Sequence, residues 1–239
     1  MQTVDLAGAR PLITALASAL GAAALGPALM RLLPFNRTTL LGAMGAVASG
    51  VMLGAAYLIM ATSMESWPGI TPLAAVITVP IIFVAHRTMR AAPSLEMVPR
   101  RMALLHGIPE GLALGTVLAA HVPLGMWLGI TVALHNVAEG ALFDARAEEV
   151  AGAQQHSLGR ASYLALVDKL PQVVFALGAW LLVQAAPVAS APLFASAFAG
   201  LVYLVIAELL MEAYERIGRV GVALTVMAAG AVVAALGGR

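Results

Sequence analysis

Long apolar stretches follow one another along almost the whole chain, separated by short breaks that are charged or rich in Pro and Gly. A helix that crosses a bilayer needs roughly 20 mostly apolar residues, and each stretch is close to that length. The pattern therefore predicts one all-α domain over residues 1–239, a bundle of eight membrane spans. The predicted spans cover residues 11–30, 40–61, 70–85, 102–120, 123–143, 163–184, 191–211 and 220–236.

Composition agrees with a chain that is solvated by lipid. Hydrophobic residues make up 61% of the chain and charged residues 10%, whereas soluble domains have about 45–50% apolar and about 25% charged residues. The excess predicts a multi-pass protein of the cell (inner or plasma) membrane, in contact with the lipid bilayer. The net charge of +1 argues against a nucleic-acid partner. Cysteine is absent, which excludes disulfides and thiolate metal sites.

The placement of arginine predicts the orientation of the spans, because cytoplasmic loops carry an excess of Lys and Arg. Arg10 and Arg239 lie on one side. Loops 1–2, 3–4, 5–6 and 7–8, on the other side, contain Arg31, Arg37, Arg87, Arg90, Arg100, Arg101, Arg146, Arg160, Arg216 and Arg219. These four loops are therefore predicted to be cytoplasmic and both termini to be outside. Asp144 is expected in the solvated 5–6 loop, and Asp5 in the first ten residues argues against a cleavable signal peptide.

Two neighbouring spans carry the same polar pattern. Span four reads His106-Gly-Ile-Pro-Glu110-Gly, and span five reads His135-Asn-Val-Ala-Glu139-Gly. A charged side chain at the centre of a membrane helix costs about 2.5–3.5 kcal/mol on insertion scales, so such residues usually have a function. Residues i and i+4 share one helix face. Because a short connection makes the two spans antiparallel neighbours, the two His–Glu pairs are predicted to converge across one interface.

Imidazole and carboxylate groups together are ligands for borderline divalent cations such as Zn²⁺, Fe²⁺ and Mn²⁺. Two carboxylates also offset the charge of a divalent ion, which favours its passage through a layer of low dielectric constant. A polar pair in one span is often only an interhelical hydrogen bond. Two matching pairs in adjacent spans favour a metal site, with the ion as transported substrate and not as cofactor.

At these motifs the chain resembles the ZIP (Zrt-/Irt-like) family of divalent metal transporters, in particular its compact bacterial branch. The family carries H-N-x-P-E-G in its fourth span and H-N-x-x-E-G in its fifth, and this chain reads HGIPEG at 106–111 and HNVAEG at 135–140. Residues 48–57 (ASGVMLGAAY) are similar to the family's G-x-M-L segment. Residues 198–213 (FAGLVYLVIAELLMEA) are similar to its stretch that ends in E-L-x-x-E-A.

The resemblance implies eight spans with both termini outside, a homodimer, and transport of Zn²⁺, Fe²⁺, Mn²⁺ or Cd²⁺ towards the cytoplasm as one helix group slides against another. It also implies a ligand set, in which Glu139 bridges two metal positions. The implied metal ligands are His106, Glu110, His135, Asn136, Glu139 and Met52.

The chain departs from the family pattern at two places. Gly107 stands where the family has an Asn ligand in span four, and span six reads Val-Asp168-Lys169-Leu-Pro-Gln172 where family members often have Glu-Pro. Asp168, Gln172 and, in span seven, Glu208 are candidate pathway residues. Lys169 has three interpretations: it pairs with Asp168, it extends to the membrane surface, or its ammonium occupies the second metal position. These departures favour a single metal position.

Other functions are less well matched. An intramembrane metallohydrolase needs a general base beside the metal, as in H-E-x-x-H, and the sequence contains neither that motif nor the E-x-x-H motif of di-iron bundles in these spans. The chain is therefore not expected to be an enzyme. A metal sensor that binds without translocation, and a proton-coupled carrier that uses His and Glu as a relay, stay open as alternatives.

Overall fold

The computed structural model of the chain describes residues 9–32, 36–90, 97–151 and 157–237. These residues contain no β-strand, so the all-α prediction is confirmed for them. Asp5 and Arg239, which the sequence arguments used, lie outside the described residues. The helices are α1 (Ala9–Leu32), α2 (Arg37–Ser66), α3 (Ile70–Arg90), α4 (Met97–Ala120), α5 (Val122–Ala151), α6 (Leu158–Asp168), α7 (Leu170–Ala185), α8 (Ser190–Leu204) and α9 (Leu210–Gly237).

Six helical stretches of the described residues are long and apolar enough to cross a membrane, which agrees with a multi-pass membrane protein. They are Ala9–Leu32, Thr38–Ser66, Ile70–Met89, Ala103–Ala120, Leu158–Ala185 and Pro187–Gly237. Helix α5 is not among them, and its central turns carry His135, Asn136 and Glu139. The number of eight spans and their orientation stay predictions.

The helices pack side by side, with α4 near the centre. Helix α1 packs along α5, α2 along α9, α3 along α8 and α4 along α7, and α4 also contacts α5 and α8. In the apolar window of α4, 67% of the residues are buried, against 17% in α3, so α4 is central and α3 is peripheral. The main apolar core includes Leu12, Ile59, Leu114, Val132, Trp180 and Phe194. Exposed Leu73, Val174 and Leu224 give the outer surface the apolar character that lipid requires.

Two helix pairs approach so closely that only glycine fits at the contact. A side chain at Gly140 in α5 would collide with the backbone carbonyl of Ala23 in α1, and one at Gly115 in α4 with that of Ala176 in α7. Small residues allow such close packing between membrane helices. Because Gly140 follows Glu139 directly, the contact with α1 holds this carboxylate-bearing turn of α5 in place.

Three departures from regular α-helix shape the interior. Helix α6 ends at Asp168 and α7 begins at Leu170, close to Pro171, which has no N–H to donate to the helix. A π-helical turn, Val205–Leu209, joins α8 to α9. Within α9, Gly218 has a φ of 72°, a left-handed conformation that glycine adopts without steric cost, and the helix direction breaks there.

A partly buried ion pair ties α1 to α5. Arg31, in the last turn of α1, donates from Nε and Nη2 to the two carboxylate oxygens of Asp144, at 3.1 and 2.9 Å. The Asp144 side chain is 1% exposed. The expectation that Asp144 lies in a solvated loop was therefore wrong: α5 continues past the apolar stretch, and the arginine compensates the carboxylate where the helix packs on α1.

Candidate metal centre

Three of the predicted ligands meet inside the bundle, where α4 contacts α5. One ligand atom from each of Glu110, His135 and Glu139 lies within 4.8 Å of the others. His135 Nε2 is 3.0 Å from Glu110 Oε1 and 3.4 Å from Glu139 Oε2. Glu110 and His135 are fully buried, and the Glu139 side chain is 15% exposed. These three residues are called the central trio below.

The spacing within the central trio suits one small divalent ion. Zinc binds nitrogen and oxygen ligands at about 2.0–2.2 Å in tetrahedral geometry, which separates two of its ligands by about 3.3–3.5 Å. Of the two distances from His135 Nε2, that to Glu139, 3.4 Å, falls in this range, and that to Glu110, 3.0 Å, is slightly shorter. Small side-chain movements would therefore bring three ligands onto one ion, and further ligands would complete its shell.

His106 lies at the edge of the central trio. Its Nε2 is 3.9 Å from Glu139 Oε1 and 3.2 Å from Glu208 Oε2. The sequence placed His106 and Glu110 on one helix stripe as a pair. In the structure the close contact of Glu110 is with His135 of the neighbouring helix, while His106 reaches the π-helical turn. The i, i+4 spacing defines a shared face, but the rotation of each helix about its axis decides which partner is met.

Lys169 reaches the central trio from the junction of α6 and α7. Its Nζ is 3.3 Å from Glu110 Oε2 and also contacts Glu139 Oε2. The residue is 3% exposed, so the interpretation that its ammonium extends to the membrane surface was wrong. The attraction of two buried carboxylates holds the ammonium inside the bundle. The placement agrees with the interpretation that the ammonium occupies a metal position, and the pairing with Asp168 stays a prediction.

A second polar contact lies beside the trio and links α5 to α1 and α7. Asn136 Nδ2 donates to the backbone carbonyl of Ala19 at 3.2 Å and to Gln172 Oε1 at 3.0 Å. Asn136 and Gln172 are buried, and Asn136 Oδ1 and Gln172 Nε2 have no hydrogen-bond partner. The amide of Asn136 is thus engaged in holding helices together, and its role as a metal ligand stays a prediction.

A lateral cluster, formed by His86, Tyr203, Glu208 and His106, continues from the central trio towards α3 and α8. Glu208 Oε1 is 2.8 Å from His86 Nε2, and His86 Nδ1 is 2.8 Å from the Tyr203 hydroxyl. The π-helical turn carries Glu208, and such turns are frequent at functional sites. From the sequence, Glu208 was predicted as a pathway residue, and His86, just past the predicted end of span three at 85, was expected in the 3–4 loop as a possible ligand. The structure puts His86 inside α3. Tyr203 was not predicted, since a single tyrosine in an apolar span has no distinguishing pattern.

The roles of two further predicted residues are not tested by these contacts. Met52 is buried in the main apolar core, and its role as a thioether ligand stays a prediction. Asp168 is the half-buried last residue of α6, directly before Lys169, and its role in a pathway is likewise a prediction. Gly107, which stands where the ZIP family has an Asn, lies in close contact with Pro171 and Gln172 of α7.

No protein-family model matches this chain, and no curated protein sequence matches it. The functional argument therefore depends on the residues and their arrangement.

Proposed function

We propose that the protein carries divalent metal cations, Zn²⁺ first among them, across the cell membrane towards the cytoplasm. The observation that carries this proposal is the convergence of Glu110, His135 and Glu139 inside an apolar helix bundle. Ionisable groups inside membrane bundles are expensive and usually mark ion pathways. Two carboxylates balance a divalent charge, which lowers the cost of holding the ion away from water.

The arrangement of the motifs supports membership in the ZIP family. The residues of HGIPEG and HNVAEG lie on α4 and α5, which are neighbours in the bundle, as adjacent spans carrying one shared metal site should be. Family membership brings with it a homodimer and a sliding motion of one helix group against another. Lys169 beside Glu110 and Glu139 supports a single metal position in place of the two that the family can have.

The lateral cluster supplies the next polar groups for an ion that leaves the central trio. His106 lies between Glu139 and Glu208, and Glu208 in turn contacts His86. A carboxylate flanked by two imidazoles offers the same kinds of ligand atom as the trio. We therefore place Glu208 on the pathway, one step beyond the trio.

Helix lengths support eight spans, and an even number of spans brings both termini to the same side, which the placement of arginine makes the outer side. The last apolar stretch has 51 residues and, at about 1.5 Å per residue, would measure about 75 Å, more than twice the roughly 30 Å of a hydrocarbon core. The break at Gly218 divides it into two passes. Helix α5 packs along α1 and contacts α4, so we count it as a further membrane pass. The number of spans is then eight, which is even.

Orientation can be tested with single cysteines, since the chain has none of its own. Gly69, in the turn between α2 and α3, and Gly159, in the first turn of α6, both have open space around them. A membrane-impermeant maleimide added to intact cells is expected to label Gly69→Cys at once and Gly159→Cys only after permeabilisation. The opposite labelling order would contradict termini on the outer side.

Transport is tested with the purified full chain in liposomes that contain a metal-sensitive dye. Wild type is expected to show saturable uptake of Zn²⁺ and of at least one other cation among Fe²⁺, Mn²⁺ and Cd²⁺. Glu139→Ala is expected to lower uptake more than about tenfold, because Glu139 contacts His135, His106 and Lys169. Glu65→Ala removes an exposed carboxylate near the end of α2 and is expected to behave as wild type.

The outcome also separates the alternatives. If folded and correctly inserted protein binds metal but takes up no cation, the protein is a metal sensor and not a transporter. If flux is driven by a pH gradient and does not depend on metal, the protein is a proton-coupled carrier.

A further inference from the structure

The position of the Lys169 side chain differs from that of most lysines in membrane helices. The residue lies within Leu158–Ala185, a stretch long and apolar enough to cross the bilayer. Lysine side chains in such helices normally extend the ammonium towards the membrane surface. Here the ammonium is buried and lies between the two carboxylates of the central trio. It occupies the kind of position that a bound cation would take.

Lys169 lies at the junction of two helices, α6 and α7. Lys169 is both the C-cap of α6 and the N-cap of α7, and its N–H bonds to the carbonyl of Leu166 at 3.1 Å, as in a tight turn. Pro171 follows two residues later and interrupts regular helix hydrogen bonding. The cationic side chain is thus carried by a joint between two helices.

The charge of the trio differs between its states. With neither metal nor ammonium, two carboxylate charges lie unneutralised in a medium of low dielectric constant, which is costly. The Lys169 ammonium alone leaves a single negative charge, and a divalent ion alone leaves none. With both cations present the site is positive and the ammonium repels the ion. Metal and ammonium therefore compete for the same two carboxylates.

We propose that the Lys169 ammonium stands in for the metal when the central trio is empty and that a binding metal ion displaces it. The inference rests on the proposed function and explains how the empty site crosses back after it has released its cargo. Without the ammonium, the return step would carry two uncompensated charges through the bilayer. Lys169 is thus a positioning and charge-compensating residue, needed for return and not for binding.

The decisive experiment compares net uptake with exchange in liposomes. Net uptake of Zn²⁺ into metal-free liposomes requires the empty site to return, whereas exchange of radioactive for unlabelled Zn²⁺, present at equal concentration on both sides, requires only the loaded site to cross. In Lys169→Met the ratio of net uptake to exchange is expected to fall about tenfold, which corresponds to a barrier raised by about 1.4 kcal/mol. Lys169→Arg, which keeps the charge, is expected to recover part of the ratio.

An unchanged ratio in Lys169→Met would overturn the inference, as would a loss of exchange in parallel with net uptake. The first result would mean that the ammonium is not needed for return. The second would mean that Lys169 holds the metal ligands in place. Where exchange is retained, it reports that the variant is folded and inserted; where exchange is lost, a cooperative unfolding transition of the purified variant supplies that control.

Binding provides a readout that does not depend on transport. For purified protein in detergent, Lys169→Met is expected to bind Zn²⁺ about tenfold more tightly than wild type, because the ion no longer has to displace a cation. The zinc-induced rise in the unfolding temperature should be larger in the variant. Equal or weaker binding in Lys169→Met would refute displacement even if wild type transports metal. Tighter binding with no transport by wild type would refute the proposed function and leave displacement standing.

Discussion

Glu110→Gln is expected to lower metal uptake more than about a hundredfold, since changing even a residue that only supports a metal ligand typically costs 10–100-fold. Glutamine keeps the size of the side chain but removes one of the two negative charges of the central trio. It also replaces one of the two carboxylate oxygens by an NH₂ donor, so the side chain can no longer accept from both His135 Nε2, which lies 3.0 Å from Oε1, and Lys169 Nζ, which lies 3.3 Å from Oε2. The loss is therefore expected in binding as well as in uptake.

The measurement is zinc binding to purified protein, followed by uptake in liposomes. Thr116→Val is a matched control, because Thr116 lies on the same helix, is fully buried and has no hydrogen-bond partner for its hydroxyl. An isosteric apolar replacement there is expected to leave stability and transport nearly unchanged. If Glu110→Gln bound and transported zinc as wild type does, the central trio would not be the metal site.

Hydropathy alone is enough to predict most of the helices, because lipid demands about the same length of apolar sequence from every span. The stretch at 102–120, for example, lies within α4 as the structure has it. Helix ends were harder to predict. Helix α5 runs on to Ala151, past the predicted end at 143, because Asp144 is compensated by Arg31 and need not reach water. A pairing between residues so far apart in sequence leaves no local pattern.

The candidate site was predictable as a set of residue types but not as a set of contacts. Spacing placed Glu139 one turn from His135, and the structure brings both to Glu110. The position of the Lys169 ammonium depends on the joint between α6 and α7, and that of Glu208 on a π-helical turn. Both are departures from regular helix, which periodicity cannot predict since it assumes a constant number of residues per turn.

Because Glu208 lies outside the central trio, its substitution is expected to lower the rate of zinc transport without a comparable loss of zinc affinity. Glu208→Gln is expected to lower the maximal rate of zinc uptake about tenfold, equivalent to about 1.4 kcal/mol. The change removes the negative charge that lies between His106 and His86, so the lateral cluster attracts a metal ion less strongly. Zinc binding to the purified variant is expected to stay within about threefold of wild type, equivalent to less than about 0.7 kcal/mol, because the central trio keeps all its ligand atoms.

The control for Glu208 lies one helical turn away. Glu212→Gln makes the same chemical change at a carboxylate that pairs with Arg216 at 3.0 Å, an i, i+4 contact on the same helix. It is expected to transport zinc as wild type does. Binding that weakened in Glu208→Gln as much as in Glu110→Gln would make Glu208 a ligand of the central site. An unchanged rate in Glu208→Gln would remove the lateral cluster from the pathway, and the ion would then have to leave the trio by another face of α4 and α5.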